Sequence, residues 1–199
     1  DQLNLELNPW KDEPTESTGI VLIESLSKGK SRPYHKQKLG LILANMRSFA
    51  LEAQRKGHPV RYIGTTSDYS QALLKLNIPL IHCLNPAELT TRKELQSLLD
   101  SGRLQQHPHT GWLTPRDWFV EELGLNPPYR RFRKETGILM DGKAPIGGKY
   151  SFDSENRMSW KGQPIAAEDP RFEVTDLDRE VEELVNSTFS DNPGKIDLS

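Results

Sequence analysis

The stretch GIVLIESLSKGKSRPYHKQKLGLILANMRSFALEAQRKG, residues 19–57, decides the fold class. Its apolar run, residues 20–23, has the length of a strand that is buried on both faces. After a basic loop, apolar residues recur from His35 to Lys56 at the three- and four-residue spacing of a helix, which Gly57 can end. A buried strand followed by an amphipathic helix is the repeating unit of α/β proteins.

The alternation of strands and helices continues along the chain. Further strands are predicted at residues 60–63, 80–83 and 104–107, and further helices at 67–76, 90–101 and 175–189 and from Thr114 onward. This order implies a Rossmann-like, doubly wound parallel sheet. We therefore predict an α/β domain over residues 1–125. Residues 126–199 are expected to add a helix, a long ordered loop and a connecting helix.

The bulk composition restricts the classes of partner and compartment. The chain has 199 residues and a net charge of −2, so no overall field directs it to nucleic acid or to a membrane. Cys83 is the only cysteine, which excludes an intrachain disulfide and an iron–sulfur cluster ligated by cysteines of this chain alone. No apolar run approaches the ~20 residues of a membrane span, and we find no signal peptide. The sequence predicts a cytoplasmic protein without membrane contacts.

Two carboxylates follow predicted strands at the edge where α/β proteins bind ligands. Glu24 ends the first predicted strand and could accept hydrogen bonds from a polar heterocycle or a hydroxylated chain; the alternative is a solvated loop carboxylate. Glu88 follows the strand at 80–83 and could contact the same ligand. For Glu88 a carboxylate at the start of a helix is the preferred interpretation.

The basic run at residues 28–38 enters a helix N-terminus, where free amide hydrogens favour anions. It lacks the glycine spacing of a nucleotide-binding loop, and for most of its lysines a solvated loop is preferred. Tyr34, His35 and Lys38 are kept as candidate ligand residues, because aromatic rings can pack against a flat ligand. His107 and His109 are interpreted as a surface loop, so no metal site and no catalytic residue is predicted.

The segment YRRFRKETGILMDGKAPIGGKYSFDSENRM, residues 129–158, begins as a basic, aromatic helix. It continues as a loop with glycines and several large apolar residues, a composition that favours an ordered loop on a protein surface over a linker. The helix carries a dense basic patch: Arg130, Arg131, Arg133 and Lys134. Interleaved cations and aromatics are typical of nucleic-acid contacts. Pairing with carboxylates of the same protein or of another domain is the preferred alternative, and Arg157 is interpreted in the same way.

This segment resembles the end of the N-terminal domain in the bacterial iron–sulfur cryptochromes and photolyases, the deoxyribodipyrimidine photolyase-related proteins. The matching residues are Arg130, Arg131, Lys134, Thr136-Gly137, Leu139-Met140, Pro145, Gly147-Gly148, Phe152-Asp153 and Glu155-Asn156-Arg157. Weaker matches extend from Asp1-Gln2-Leu3 to the segment at 191–195. Lys28 and Ser31 stand where the family pattern has acidic and aromatic residues.

The resemblance implies an antenna domain that binds 6,7-dimethyl-8-ribityllumazine in a crevice at the sheet edge. It places Asp1 and Gln2 after a first strand that precedes the chain, beside Glu24. It also implies a C-terminal catalytic domain after Ser199 that holds FAD and a [4Fe-4S] cluster. The parent would be a carbon–carbon lyase that repairs (6-4) photoproducts in damaged DNA with light, or a cryptochrome. Residues 1–199 alone would be inactive.

Two alternatives stay open at this point. The chain could be a stand-alone nucleotide-binding or photosensory signalling domain without a catalytic half. It could also be a domain of the same fold that has lost its ligand.

Overall fold

The computed structural model describes residues 3–109, 111–113, 128–154, 159, 161–165, 167–168 and 171–199. The chain divides into two compact units, the first formed by Asp1–Gly111 with Arg171–Ser199 and the second by Trp112–Pro170. The division predicted after residue 125, and the helix predicted from Thr114, lie outside the described residues.

The described residues of the first unit contain four strands in two parallel pairs. These strands are β1 (Ile20–Ser25), β2 (Val60–Thr65), β3 (Ile81–Leu84) and β4 (Leu104–His107). β1 pairs with β2 in the register Ile20↔Val60, and β3 pairs with β4 in the register Ile81↔Leu104. All four predicted strands and their parallel direction are therefore confirmed.

In the first unit these strands are connected and flanked by α1 (Leu26–Lys30), α2 (Lys36–Arg55), α3 (Tyr69–Leu74), α4 (Leu89–Asp100) and α6 (Asp176–Thr188), whereas α5 (Pro128–Thr136) lies in the second unit. Asp68 caps α3, because its Oδ1 accepts a hydrogen bond of 2.8 Å from the backbone amide of Gln71. Thr175 and Asp178 cap α6 reciprocally through side chain and backbone.

Helices cover both faces of the β1–β2 pair. Side chains alternate along a strand, so Val21 and Ile23 pack against the apolar side chains of α3 and α4, while Glu24 points to Arg47 of α2. A second core joins α2 to α6 and the chain that follows it. Its buried members are Leu39, Ala44, Val181, Val185, Phe189 and Ile196.

The two strand pairs do not form a single sheet over the described residues. A cavity of about 930 Å³ is lined by apolar residues of both β1 and β3, together with Leu3, Leu5 and Phe49. The structure confirms a mixed α/β molecule with parallel strands. The predicted doubly wound sheet is not confirmed over the described residues.

The second unit is organised around an arginine. After α5, a two-residue hairpin pairs β5 (Met140–Asp141) with β6 (Ala144–Pro145). Ile146 and Phe152, two of the large apolar residues from which an ordered loop is predicted, are 54% and 38% exposed. Among the described residues of this unit, Arg133 is instead the buried one, with 2% exposure.

Candidate functional site

A hydrogen bond from the side chain of Ser25 connects the carboxyl end of β1 to the segment that follows β2. Ser25, the last residue of β1, accepts a hydrogen bond from the amide of Lys28 at 3.3 Å and so caps α1. The same hydroxyl donates to the carbonyl of Ser67 at 2.7 Å, in the turn that follows β2. This contact fixes the start of α1 beside the start of α3, at the sheet edge where α/β proteins bind ligands.

Lys28 is the centre of a polar cluster at this edge. Its Nζ lies 2.6 Å from Glu94 Oε2, and 5.2 Å from the ring centroid of Tyr69. Glu94 Oε1 accepts a hydrogen bond of 2.5 Å from the amide of Tyr69 at the start of α3. Burial alone would lower the pKa of Lys28, but the hydrogen bond and the charge of Glu94 raise it above its ordinary value. Lys28 therefore stays a cation at neutral pH.

Glu88 lies on the open side of the cluster. Its carboxylate is 52% exposed, 4.0 Å from Lys28 Nζ, and accepts a 2.6 Å hydrogen bond from the hydroxyl of Thr91. Hydrogen bonds from Thr91 and Thr90, followed by the charges of Lys28 and Arg32, lower the pKa of Glu88. Glu88 is also the N-cap residue of α4, as the sequence predicts. Its acceptor oxygens are thus far more accessible than those of Glu24, whose side chain is 5% exposed.

Glu24 has a different environment from the one predicted. The strand extends one residue further than expected, so Glu24 lies inside β1 and is only 5% exposed. Arg47 donates to both of its oxygens at 2.9 and 2.8 Å, and the hydroxyl of Tyr62 donates at 2.5 Å. Burial alone would raise the pKa of Glu24, but these hydrogen bonds lower it. The ligand role of Glu24 stays a prediction, and a ligand would have to compete with this ion pair.

Tyr34 and His35 contact the C-terminal segment of the same unit. Asn192 Nδ2 donates to the carbonyl of Tyr34 at 2.8 Å, and Lys38 Nζ lies 5.0 Å from the Tyr34 ring centroid. His35 caps α2 and lies against Gly194, where a Cβ would come within 1.9 Å of the imidazole. Gly194 also has a φ of 81°, so this close approach requires glycine. The ring of His35 is thus engaged in folding contacts.

The remaining predicted residues do not join this cluster in the described structure. Asp1, Gln2 and Arg157 lie outside the described residues. Tyr34 packs against the core that joins α2 to α6. The structure therefore brings Glu88 close to Lys28 and directs Glu24 to the other face of β1.

The basic residues of α5 do not form a uniform patch. Arg133 donates hydrogen bonds to the carbonyls of Ile138, Leu139 and Tyr150, the last at 2.7 Å. Arg131 pairs with Glu135 one turn along the helix. The guanidinium carbon of Arg130 lies 4.9 Å from the Tyr150 ring centroid. Arg130, Arg131 and Lys134 are exposed, whereas Arg133 is turned inward to the carbonyls of its own loop.

The sequence does not predict several residues of the polar cluster. For Lys28 it favours a solvated loop, although the side chain is only 22% exposed and forms an ion pair with Glu94. Its position three residues after the end of β1 is the signal that could have identified it. Glu94 and Ser67 carry no such signal, because their contacts depend on how α3 and α4 pack.

Parallel strands with helices on both faces and a polar cluster at their carboxyl ends define an α/β protein with a potential ligand-binding edge. A family model described as deoxyribodipyrimidine photo-lyase-related protein matches residues 1–199, and the chain belongs to this family. It is 29% identical over 195 residues to a (6-4) photolyase of Agrobacterium fabrum, an alignment that covers 89% of this chain and 38% of that protein. It is also 61% identical over 31 residues, 16% of each chain, to an uncharacterized protein of Acanthamoeba polyphaga mimivirus.

The chain thus spans well under half the length of the photolyase that it matches, 38%. Within the described residues, no helix is both long enough and apolar enough to cross a membrane.

Proposed function

We propose that residues 1–199 form the antenna-chromophore-binding part of a flavin-dependent DNA photolyase or cryptochrome. The observation that carries this proposal is the family match over the whole chain, together with the similarity to a (6-4) photolyase over 89% of it. The partners in this proposal are a C-terminal catalytic domain of the same polypeptide and, through it, damaged DNA in the cytoplasm. FAD and a [4Fe-4S] cluster belong to that domain, since a cluster needs more thiolates than Cys83 supplies.

The polar cluster around Lys28 offers groups that could bind 6,7-dimethyl-8-ribityllumazine. The half-exposed carboxylate of Glu88 can accept hydrogen bonds from ribityl hydroxyls, and the ring of Tyr69 beside Lys28 can pack against a flat ligand. Tyr34 is a further proposed aromatic contact. Lys28 supplies a cation whose charge is partly balanced by Glu94. When bound, the lumazine would absorb blue or near-ultraviolet light. Glu24, His35, Lys38, Asp1 and Gln2 remain proposed contributors from the surrounding chain.

We also propose that one further strand completes the sheet between β1 and β3. Both strands line the same apolar cavity, and neither pairs with the other over the described residues. A parallel strand placed there would join the two pairs into the doubly wound sheet that the sequence predicts. It would also close the edge beneath the ligand crevice.

A binding measurement tests the chromophore proposal. Calorimetry should show that the full-length protein binds ribityllumazine, and that residues 1–199 alone bind it at least tenfold more weakly because the proposed catalytic domain then no longer helps to close the crevice. Glu88→Ala in the full-length protein should weaken binding by about 1–2 kcal/mol through loss of an acceptor. Glu183→Ala, an exposed carboxylate of α6, is the matched control. Equal affinity in the Glu88→Ala and unaltered proteins would remove Glu88 from the site.

A repair assay tests the assignment to a larger enzyme. Residues 1–199 should repair no (6-4) photoproduct in light or darkness, because this chain supplies neither a flavin nor a cluster. The full-length protein should repair it under blue light. Light-dependent repair by residues 1–199 without an added protein would contradict the proposal, and absence of repair by the full-length protein would favour a signalling role.

A further inference from the structure

Two histidines from neighbouring strands meet on the outer face of the β3–β4 pair. His82 lies opposite Gln105 and His107 lies opposite Leu84, so the two imidazoles are diagonal neighbours across the parallel ladder. His82 Nδ1 and His107 Nε2 are 2.9 Å apart and share one hydrogen bond. His107, interpreted above as part of a surface loop, is the last residue of β4, the strand that is also predicted at 104–107.

The pair is turned away from the apolar core. Ile81, Cys83 and Leu104 of the same strands pack against α3 and α4, so alternation directs His82 and His107 to the opposite face. There the indole of Trp10 lies edge-on to both rings, with centroid distances of 4.6 Å to His82 and 4.7 Å to His107. The two ring nitrogens are therefore held on regular strands, with an aromatic reporter beside them.

The two nitrogens lie within chelating reach of one ion. Two nitrogens that bind a square-planar or tetragonal ion such as Cu(II) or Ni(II) at about 2.0 Å and at a right angle are about 2.8–2.9 Å apart, and tetrahedral Zn(II) needs about 3.4 Å between them. The observed 2.9 Å is the ordinary length of the N–H···N hydrogen bond that joins the two rings, so it does not itself select a metal. The preference among divalent ions follows their usual order of affinity, in which Cu(II) binds most tightly.

We propose that His82 and His107 form a two-histidine binding site for a divalent transition-metal ion, with Cu(II) bound in preference to Ni(II) and Zn(II). The aqueous ion loses two water ligands and gains one bond to His82 Nδ1 and one to His107 Nε2. The proton of the shared hydrogen bond moves through solvent to the other nitrogen of its ring, and both rings tilt so that their lone pairs converge. No change in oxidation state is involved.

Solvent completes the coordination. Among the residues that the structure describes, no group of three or more His, Cys, Asp or Glu side chains could hold a metal ion. The site is therefore open and weaker than a three- or four-ligand centre. Its advantage over scattered surface histidines is that the strands already hold both residues side by side, so only the side-chain torsions have to change on binding.

Fluorescence titration of the untagged protein tests this inference, with CuCl2, NiCl2, ZnCl2 and MgCl2 as probes. Cu(II) should quench the emission of Trp10 and bind at least tenfold more tightly than Zn(II), following the usual order of affinity. Mg(II) should have no effect. Trp10→Phe should abolish this quenching while calorimetry still detects Cu(II) binding.

The variants His82→Gln and His107→Gln should each weaken Cu(II) binding at least tenfold, and His58→Gln, a histidine elsewhere in the unit, should leave it unchanged. Thermal melts establish that each variant is folded. Electron spin resonance of the copper complex should show hyperfine coupling to two nitrogens. Equal Cu(II) affinity in the unaltered protein and in either paired-histidine variant, or coupling to fewer than two nitrogens, would overturn the proposal.

Discussion

Replacement of Glu24 by alanine is expected to lower the free energy of unfolding of the first unit by about 2–4 kcal/mol. The carboxylate is 5% exposed and accepts three hydrogen bonds, two from Arg47 and one from Tyr62. Its removal leaves the guanidinium of Arg47 without its main partner on the inner side of α2. This loss should lie at the lower end of the usual range for a broken buried ion pair, or below it, because the Arg47 side chain is 22% exposed and water can partly solvate its charge. Denaturant unfolding followed by circular dichroism measures it.

Matched variants separate the charge from the packing. Tyr62→Phe removes one hydrogen bond and should cost about 1 kcal/mol. The double variant Glu24→Ala/Arg47→Ala should lose less stability than the sum of the two single variants, because the stranded charge is then absent. Additive losses in this cycle would mean that the ion pair contributes little and that Glu24 acts through other contacts.

The same pair predicts how stability depends on pH. Interactions with Arg47 and Tyr62 hold the pKa of Glu24 below its ordinary value of 4.5. A carboxyl whose pKa is lower in the folded state stabilises that state above the unfolded pKa, and this contribution disappears as the pH falls through the folded pKa. The unaltered protein should therefore lose stability below about pH 4.5 more steeply than Glu24→Gln. Identical acid profiles would show that Glu24 is not the titrating group.

Local patterns were sufficient to predict β1 to β4 and the helices α2, α3, α4 and α6 of the first unit, whereas α1 lies where a basic loop is predicted. The apolar run at 20–23 is long enough for a buried strand, and the spacing from Leu39 to Ala53 leaves a helix as the simplest interpretation. The direction in which Glu24 points was not predictable in the same way. It depends on where the strand ends, since Glu24, predicted as its last residue, lies inside β1, which continues to Ser25 and turns Glu24 to the face that α2 covers.

The residues that the sequence does not predict come together through contacts between elements that are distant along the chain. Lys28 meets Glu94 only because α1 and α4 start at the same edge, and a sequence pattern does not specify such a pair. His82 and His107 are 25 residues apart and meet because β3 and β4 pair in a particular register. The composition of the run at 129–134 indicated cations in excess, but it could not show that Arg133 would turn inward.

Arg133 gives the second large expectation, a loss of order throughout the loop that follows α5. Its guanidinium donates to carbonyls on both arms of the loop, at Ile138 and Leu139 on one side and at Tyr150 on the other. Leu139 has a φ of 55°, a conformation that costs a non-glycine residue energy and persists when surrounding contacts hold it. Arg133→Ala removes these donors together and leaves the carbonyls to solvent.

We expect Arg133→Ala to destabilise the loop by about 3 kcal/mol, since several hydrogen bonds to a charged group are lost together. Amide hydrogens between residues 137 and 150 should then exchange with solvent about 100-fold faster. Arg133→Lys should restore only a small part of the protection, because an ammonium cannot reproduce the planar fork that reaches both arms. Lys134→Ala, at the next position and exposed, should leave the exchange rates unchanged. If the amide hydrogens of Arg133→Lys exchanged as slowly as those of the unaltered protein, positive charge alone would be sufficient and the fork geometry would have no role. If those of Lys134→Ala exchanged as fast as those of Arg133→Ala, the effect would belong to α5 as a whole.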